Sequence, residues 1–147
     1  MALFEITSRF AAELGLEPPE ADGTLAFTLD EDLELEICPV SPEGDFVLSA
    51  PVCALPDVGR AQLYETVLAA SLYGHETGGA AIGVDLNHRD LVLWRGFSES
   101  AVSEASFAED FARFVAALRR WRAWAARGFD APASSIAERP PSSEWTV

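Results

Sequence analysis

The sequence predicts an α+β domain with element order α-β-β-β-α-β-β-α, a twisted antiparallel sheet covered by helices. Three observations lead there. Apolar residues recur at helical spacing in three separated stretches, and they alternate with polar ones in most of five others. Short turn signals join neighbouring alternating stretches into hairpins. At 147 residues and 49% hydrophobic, the chain has the length and composition of one domain with a real core.

The first helix runs from residue 2 to about 15, where Leu3, Ile6, Phe10 and Leu14 share one face and Gly15 ends the pattern. Two prolines and a glycine in "EPPEADG" then exclude both helix and ladder. Three strands follow: "TLAFTLD", "LELEI" and "DFVLSAPVCAL". "DED" at 30–32 makes the first two a hairpin, and Gly44 serves the turn into the third. "PDVGRAQLYETVLAASLYG" returns to helical spacing, with Asp57 as N-cap and Gly74 as the residue after its end. Leu63, Val67, Leu68 and Leu72 form one face there, with Tyr64 beside it.

In "GAAIGVDL" the residues Ala80, Ile82, Val84 and Leu86 point one way, and the turn "NHRD" joins this strand to "DLVLWRGF". Trp94 takes the strand face opposite Leu91 and Leu93. The last helix starts at Ser103 or Ser106, the latter with Glu109 as a capping box, and runs to about Arg127. Its apolar residues Phe107, Phe111, Phe114, Leu118, Trp121 and Ala125 repeat at alternating steps of four and three, and Gly128 stops it. Residues 1–128 are therefore read as the domain. Residues 129–147, rich in Pro, Ser and Ala, are read as a flexible C-terminal tail.

Charge narrows the choice of partner. The formal net charge is −14, all ten basic residues are arginine, and residues 1–100 hold 18 acids against 4 arginines. Such a field repels phosphate backbones and anionic lipid, so neither nucleic acid nor membrane is expected as a partner. Cys38 and Cys53 are not in a CxxC pair and are read as free thiols of a reducing compartment. The N-terminus lacks a basic leader, and no apolar run approaches the roughly 20 residues of a membrane span, which predicts a cytoplasmic protein.

The stretch "YGHETGGAAIGVDLN" holds four of the ten glycines and raises the question of a phosphate cradle. A dinucleotide fingerprint has a strand before its glycines and a helix after them; here the order is reversed, and no GK[ST] follows. Glu76 and Asp85 add the wrong charge. Gly74 and the pair Gly78-Gly79 read instead as a joint between helix and strand, with Gly83 allowing a close approach of backbone. His75 and His88 lack partners at ligand spacing, and "DEDLELE" lacks the glycine and closing glutamate of a calcium loop. No cofactor, metal or catalytic set is expected, and the chain is read as no enzyme.

The segment "LYETVLAASLYGHETGGAAIGVDLNHRDLVLWRGF", followed by "SFAEDFARFVAALRRW", resembles the Tir-chaperone (CesT-like) family of class I type III secretion chaperones. The likeness extends over about residues 1–127 in element order, and it is most specific at Thr77-Gly78-Gly79, the strand pair after it, and Phe107 with its helix. Ser71 stands where the family frequently has Asn. The resemblance implies an acidic, cytoplasmic homodimer of a Gram-negative bacterium. Such a dimer binds the N-terminal chaperone-binding segment of a secreted effector in extended, non-globular form, and it has a secretion ATPase as a further partner.

It also implies which residues to inspect. For effector binding these are Phe4, Ile6 and Phe10 of the first helix with Leu25, Phe27, Leu35 and Ile37 of the sheet. For the dimer interface they are Leu63, Tyr64, Val67, Leu68 and Leu72, with Gly83 permitting close approach. Alternation defines two faces of each strand without naming the outer one. Two other readings stay open: an adaptor of the same fold with another client, and a small ligand-binding or enzymatic domain built on the glycine-rich turn at 74–83.

Overall fold

The computed structural model describes residues 3–129, so the tail expected beyond them lies outside the described residues. Helix α1 (Leu3–Leu14) is followed by β1 (Leu25–Leu29), β2 (Leu33–Pro39) and β3 (Phe46–Ala54). Helix α2 (Arg60–Ser71) runs into a single 3-10 turn, Leu72–Gly74, before β4 (Ala81–Asp85), β5 (Asp90–Phe97) and α3 (Glu104–Ala126). The order is the expected one. The tail's first residue is in fact part of the fold, since the Phe129 ring meets Trp124 edge-on at 4.9 Å between centroids.

All strands are antiparallel, in the order β1-β2-β3-β5-β4. The chain leaves β3 for α2 and returns so that β5, the second strand of the second hairpin, lies against β3. One face of the sheet is buried: Leu25 and Phe27, Leu33 to Ile37 at alternate positions, Phe46, Leu48 and Ala50, and Leu91 and Leu93. Against it pack Leu3, Ile6, Phe10 and Ala11 of α1 and Phe107, Phe111, Phe114, Leu118, Trp121 and Trp124 of α3. Phe10 is the hinge of an aromatic cluster, with ring centroids 5.7 Å from Phe27, 5.4 Å from Phe107 and 4.5 Å from Phe111. Among the described residues, α1 and α3 lie on that buried side rather than on the other face. Ala26, Thr28, Glu34 and Glu36 on it are exposed.

The helix ends depart from expectation in two places. Of the two expected starts of α3, Ser103 is the N-cap, and the capping box is formed with Ser106 rather than by Ser106 with Glu109: the Ser103 side chain accepts from the Ser106 amide, and the Ser106 hydroxyl accepts from the Ser103 amide. Asp57 does not cap α2, whose N-cap is Gly59 in a left-handed conformation. Gly128 closes α3 at φ +69°, and the Phe129 amide reaches back to the Trp124 carbonyl at 3.1 Å.

The centre of the sheet is irregular. β3 bulges between Pro51 and Cys53, and its ladder with β2 ends at the pair Glu36 and Ser49. Proline has no amide hydrogen to give to a ladder, so a central strand tolerates it where pairing stops or bulges. The far end of the β1–β2 hairpin is instead held by α3, through an Arg119–Asp30 ion pair and an Arg122 guanidinium that donates to the Asp32 carbonyl at 3.0 Å.

Candidate functional site

The two edges of the sheet are treated differently. At β4 the Ser71 hydroxyl, at the end of α2, accepts from the Ile82 amide at 3.1 Å and so takes up one backbone donor of that edge. At β1 the outer side from Leu25 to Leu29 has no strand partner among the described residues. Beside it lies an open cleft of about 450 Å³ lined by Leu16, Pro18 and Glu20 of the incoming loop and by residues 24–28. An unpaired edge of this kind is a template for an added strand.

The loop into β1 also places the apolar helix next to that edge. Gly23 sits at φ +94°, and a Cβ there would come within 2.7 Å of the Leu3 side chain and 3.1 Å of the Phe4 nitrogen. Only glycine fits this crossing. Phe4, 47% exposed, is thereby held close to the start of β1. Of the residues expected to touch a partner chain on this side, Phe4 alone is on the surface. Ile6, Phe10, Leu25, Phe27, Leu35 and Ile37 are buried in the protomer's own core. Ile6 and Phe10 do reach the floor of a second cleft, about 230 Å³, where α1 meets the first turns of α3 at Glu104, Ala105, Phe107 and Ala108. The exposed Arg9–Glu104 ion pair, 2.6 Å, spans the same two helices.

A second apolar surface lies on the α2 and β4 side. Leu63 and Val67 face inward and are buried, and Tyr64 is half-buried against the core. Leu68 and Leu72 face outward, at 67% and 38% exposure. Beyond the expected residues, Tyr73, Val84 and Leu86 are exposed there, as is Trp94 on the outer sheet face. The alternation that unites Ala80, Ile82, Val84 and Leu86 is real, but the cover ends after Ile82, so the last two face solvent. Gly83 has ordinary backbone angles, and a Cβ on it would stand 3.5 Å from the Trp94 indole nitrogen, an ordinary van der Waals contact.

The glycine-rich turn is packed, not open. Gly78 and Gly79 have φ of +64° and +87°, and a Cβ on Gly78 would fall 2.9 Å from the Arg113 carbonyl of α3. Thr77 is fully buried and donates its hydroxyl to the Ala80 carbonyl. The turn is a joint held between α3 and β4, which answers the question its composition raised. The Arg95 guanidinium lies against Gly79 and pairs with Asp110 of α3 at 3.2 Å.

Both thiols are half-buried, and burial, aided by Glu36 beside Cys38 and Asp90 beside Cys53, pushes each above the ordinary thiol range. His88, in the β4–β5 turn, is paired with Asp85 at 2.8 Å; that hydrogen bond raises the imidazole and lowers the carboxyl. Among the described residues, no group of three or more His, Cys, Asp or Glu side chains could hold a metal ion. Nor is any described helix long and apolar enough to cross a membrane.

Comparison with known proteins follows the same lines. Residues 6–122 match the Tir chaperone protein (CesT) family. A protein of Chlamydia pneumoniae is 30% identical over 117 residues, which covers 77% of this chain and 85% of that one. The fold is similar to a chain of the HopA1–SchA chaperone–effector complex, with a TM-score of 0.66 at 16% identity over 81% of this chain and 91% of that one. It is likewise similar to a chain in the structure of the Yersinia pestis type III secretion chaperone SycH with a fragment of YscM2, with a TM-score of 0.62 at 22% identity, covering 82% and 99% of the two chains.

Proposed function

The chain belongs to the Tir chaperone protein (CesT) family, and from that premise we propose that it is a cytoplasmic, homodimeric chaperone that binds the N-terminal segment of a type III secreted effector and keeps it non-globular. The observation that carries this reading is the family match over residues 6–122, joined to a fold shared with chains from chaperone–effector complexes. The surface fits the task. The open side of β1 offers backbone groups to an extended client, and Phe4 beside it offers apolar contact. The role is binding without turnover, and hand-over to a secretion ATPase would need no chemistry from this chain.

The dimer in this reading is formed by the outward residues Leu68, Leu72 and Tyr73 of the α2 end with Val84 and Leu86 of β4. Exposed side chains of this size, on two neighbouring elements, are apolar surface that a second copy would remove from water. Leu63 and Val67 serve the interface indirectly, by fixing α2 to its own protomer. The formal charge of −14 keeps such a dimer soluble while it carries apolar patches.

The test is co-expression with the N-terminal segments of type III effectors from the same genome, followed by size-exclusion chromatography with light scattering. The reading expects one or more segments to co-elute with two copies of the chain and to be protease-sensitive when expressed alone. Failure of every such segment to co-elute would overturn it.

A further inference from the structure

The sheet is split at its centre, and the split has the features of a binding site. Among the described residues, β2 pairs with β1 alone from Leu33 to Leu35, and β3 pairs with β5 alone from Pro51 to Ala54. Between these half-paired segments, on the face away from α1 and α3, opens a trough of about 670 Å³. Its walls include Glu34 and Glu36 on one side and Asp85 and Asp90 on the other, with Pro51 and Val92 between them.

Three observations describe what would lie in it. The first is geometric: two strands each with one side unpaired present backbone groups suited to an extended chain. The second is electrostatic. Among the described residues no arginine lines the trough, the protein has no lysine, and the one basic side chain of the lining is His88, 2.8 Å from Asp85. Asp85 and Asp90 stand directly opposite each other across the β4–β5 ladder, an unfavourable like-charge pairing. The Asp90 Oδ1 is also buried with no hydrogen-bond partner among the described residues.

The third observation is that the protein already places a guanidinium at the far end of the same split. Arg122 donates to the Asp32 carbonyl at 3.0 Å and lines a cleft continuous with the trough through Glu34, Pro51 and Asp90. At that end a guanidinium of the protein itself meets a backbone carbonyl, whereas in the trough the buried Asp90 Oδ1 has no hydrogen-bond partner among the described residues. A metal ion is the poorer occupant, since the described acids form no ligand set.

We propose that this central split binds an extended, basic segment of a partner polypeptide, its Arg or Lys side chains meeting Glu34 and Glu36 at one wall and Asp85 and Asp90 at the other. The site is distinct from the β1 edge and from the Leu68 surface, and it does not rest on the chaperone reading. Because charge-assisted hydrogen bonds are the strong ones, a basic peptide is favoured over a neutral one of equal length.

The experiment is calorimetric titration of the full chain with a synthetic peptide of about ten residues alternating Lys and Thr, at about 0.15 M salt so that diffuse attraction is screened. Glu34→Gln with Glu36→Gln removes charge at two exposed positions. Glu13→Gln with Glu109→Gln removes the same charge elsewhere on the surface. Saturable binding is expected, weakened about tenfold or more by the first pair and within about twofold by the second. Absence of saturable binding, or equal weakening by both pairs, would overturn the proposal.

Discussion

The Trp121 indole nitrogen of α3 donates to the carbonyl of Glu76 at 3.1 Å, so the longest helix is tied to the glycine-rich turn by a hydrogen bond from one of the most buried side chains in the protein. The contact explains the turn's composition. A backbone that must curl beneath a helix while giving it a carbonyl needs the left-handed angles of Gly78 and Gly79.

Trp121→Phe keeps an aromatic ring there but removes the donor and part of the ring volume, leaving the Glu76 carbonyl only the longer contact from the Arg120 guanidinium at 3.4 Å. A loss of about 2 kcal/mol is expected in urea unfolding. Gly78→Ala should cost as much or more, because the φ of +64° is unfavourable to alanine and its Cβ would meet the Arg113 carbonyl. Unchanged midpoints for both variants would mean that the joint does not hold the fold.

Adjacent positions on α2 separate folding from assembly. Val67 is 3% exposed and Leu68 is 67% exposed. Val67→Asp should lose the cooperative thermal transition, since an unpaired buried charge costs several kcal/mol. Leu68→Asp with Leu72→Asp should keep the circular dichroism of the parent and halve the mass seen by light scattering. A dimer unaffected by the double variant would remove this face from the interface.

The same contrast holds on α1. Phe10→Ala opens a cavity in the aromatic cluster and should cost about 3–5 kcal/mol of stability. Phe4→Asp should leave stability within about 0.5 kcal/mol, yet weaken client binding in a competition assay. If Phe4→Asp binds a client as tightly as the parent, the helix face beside β1 is not part of the client surface.

The Asp85–His88 pair makes the β4–β5 turn sensitive to pH in two directions. The raised His88 contributes stability in full below the ordinary histidine value of 6.5, and this is lost as pH rises through its folded value. The lowered Asp85 contributes above the ordinary 3.8, and this is lost as pH falls through its folded value. Both contributions are therefore present between these two ordinary values. Proton NMR of the His88 ring should give a midpoint above 6.5 that returns toward it in Asp85→Asn; a midpoint indifferent to the substitution would dissolve the pair.

Where the sequence was legible, the physics is local. Alternation in "LELEI" and the steps from Phe107 to Trp121 determine which side chains share a face, because backbone geometry alone sets their direction. Hence the three helices, five strands and their order could be read before any contact was known. The stop of α3 at Gly128 follows for the same reason. Even there the cap of α3 stayed open between Ser103 and Ser106, since both are acceptable and only the actual hydrogen bonds distinguish them.

What the sequence determined by itself is an acidic α+β chain with the apolar stripes of its helices and strands. What only the tertiary structure decided is the use of each stripe: that β5 lies between β3 and β4, that Ile6, Phe10 and Phe27 are spent on the core while Phe4 and Leu68 are not, and that the sheet parts beside Pro51. The reason is physical. A side chain's direction depends on its own few residues, whereas its burial depends on what a distant segment brings against it.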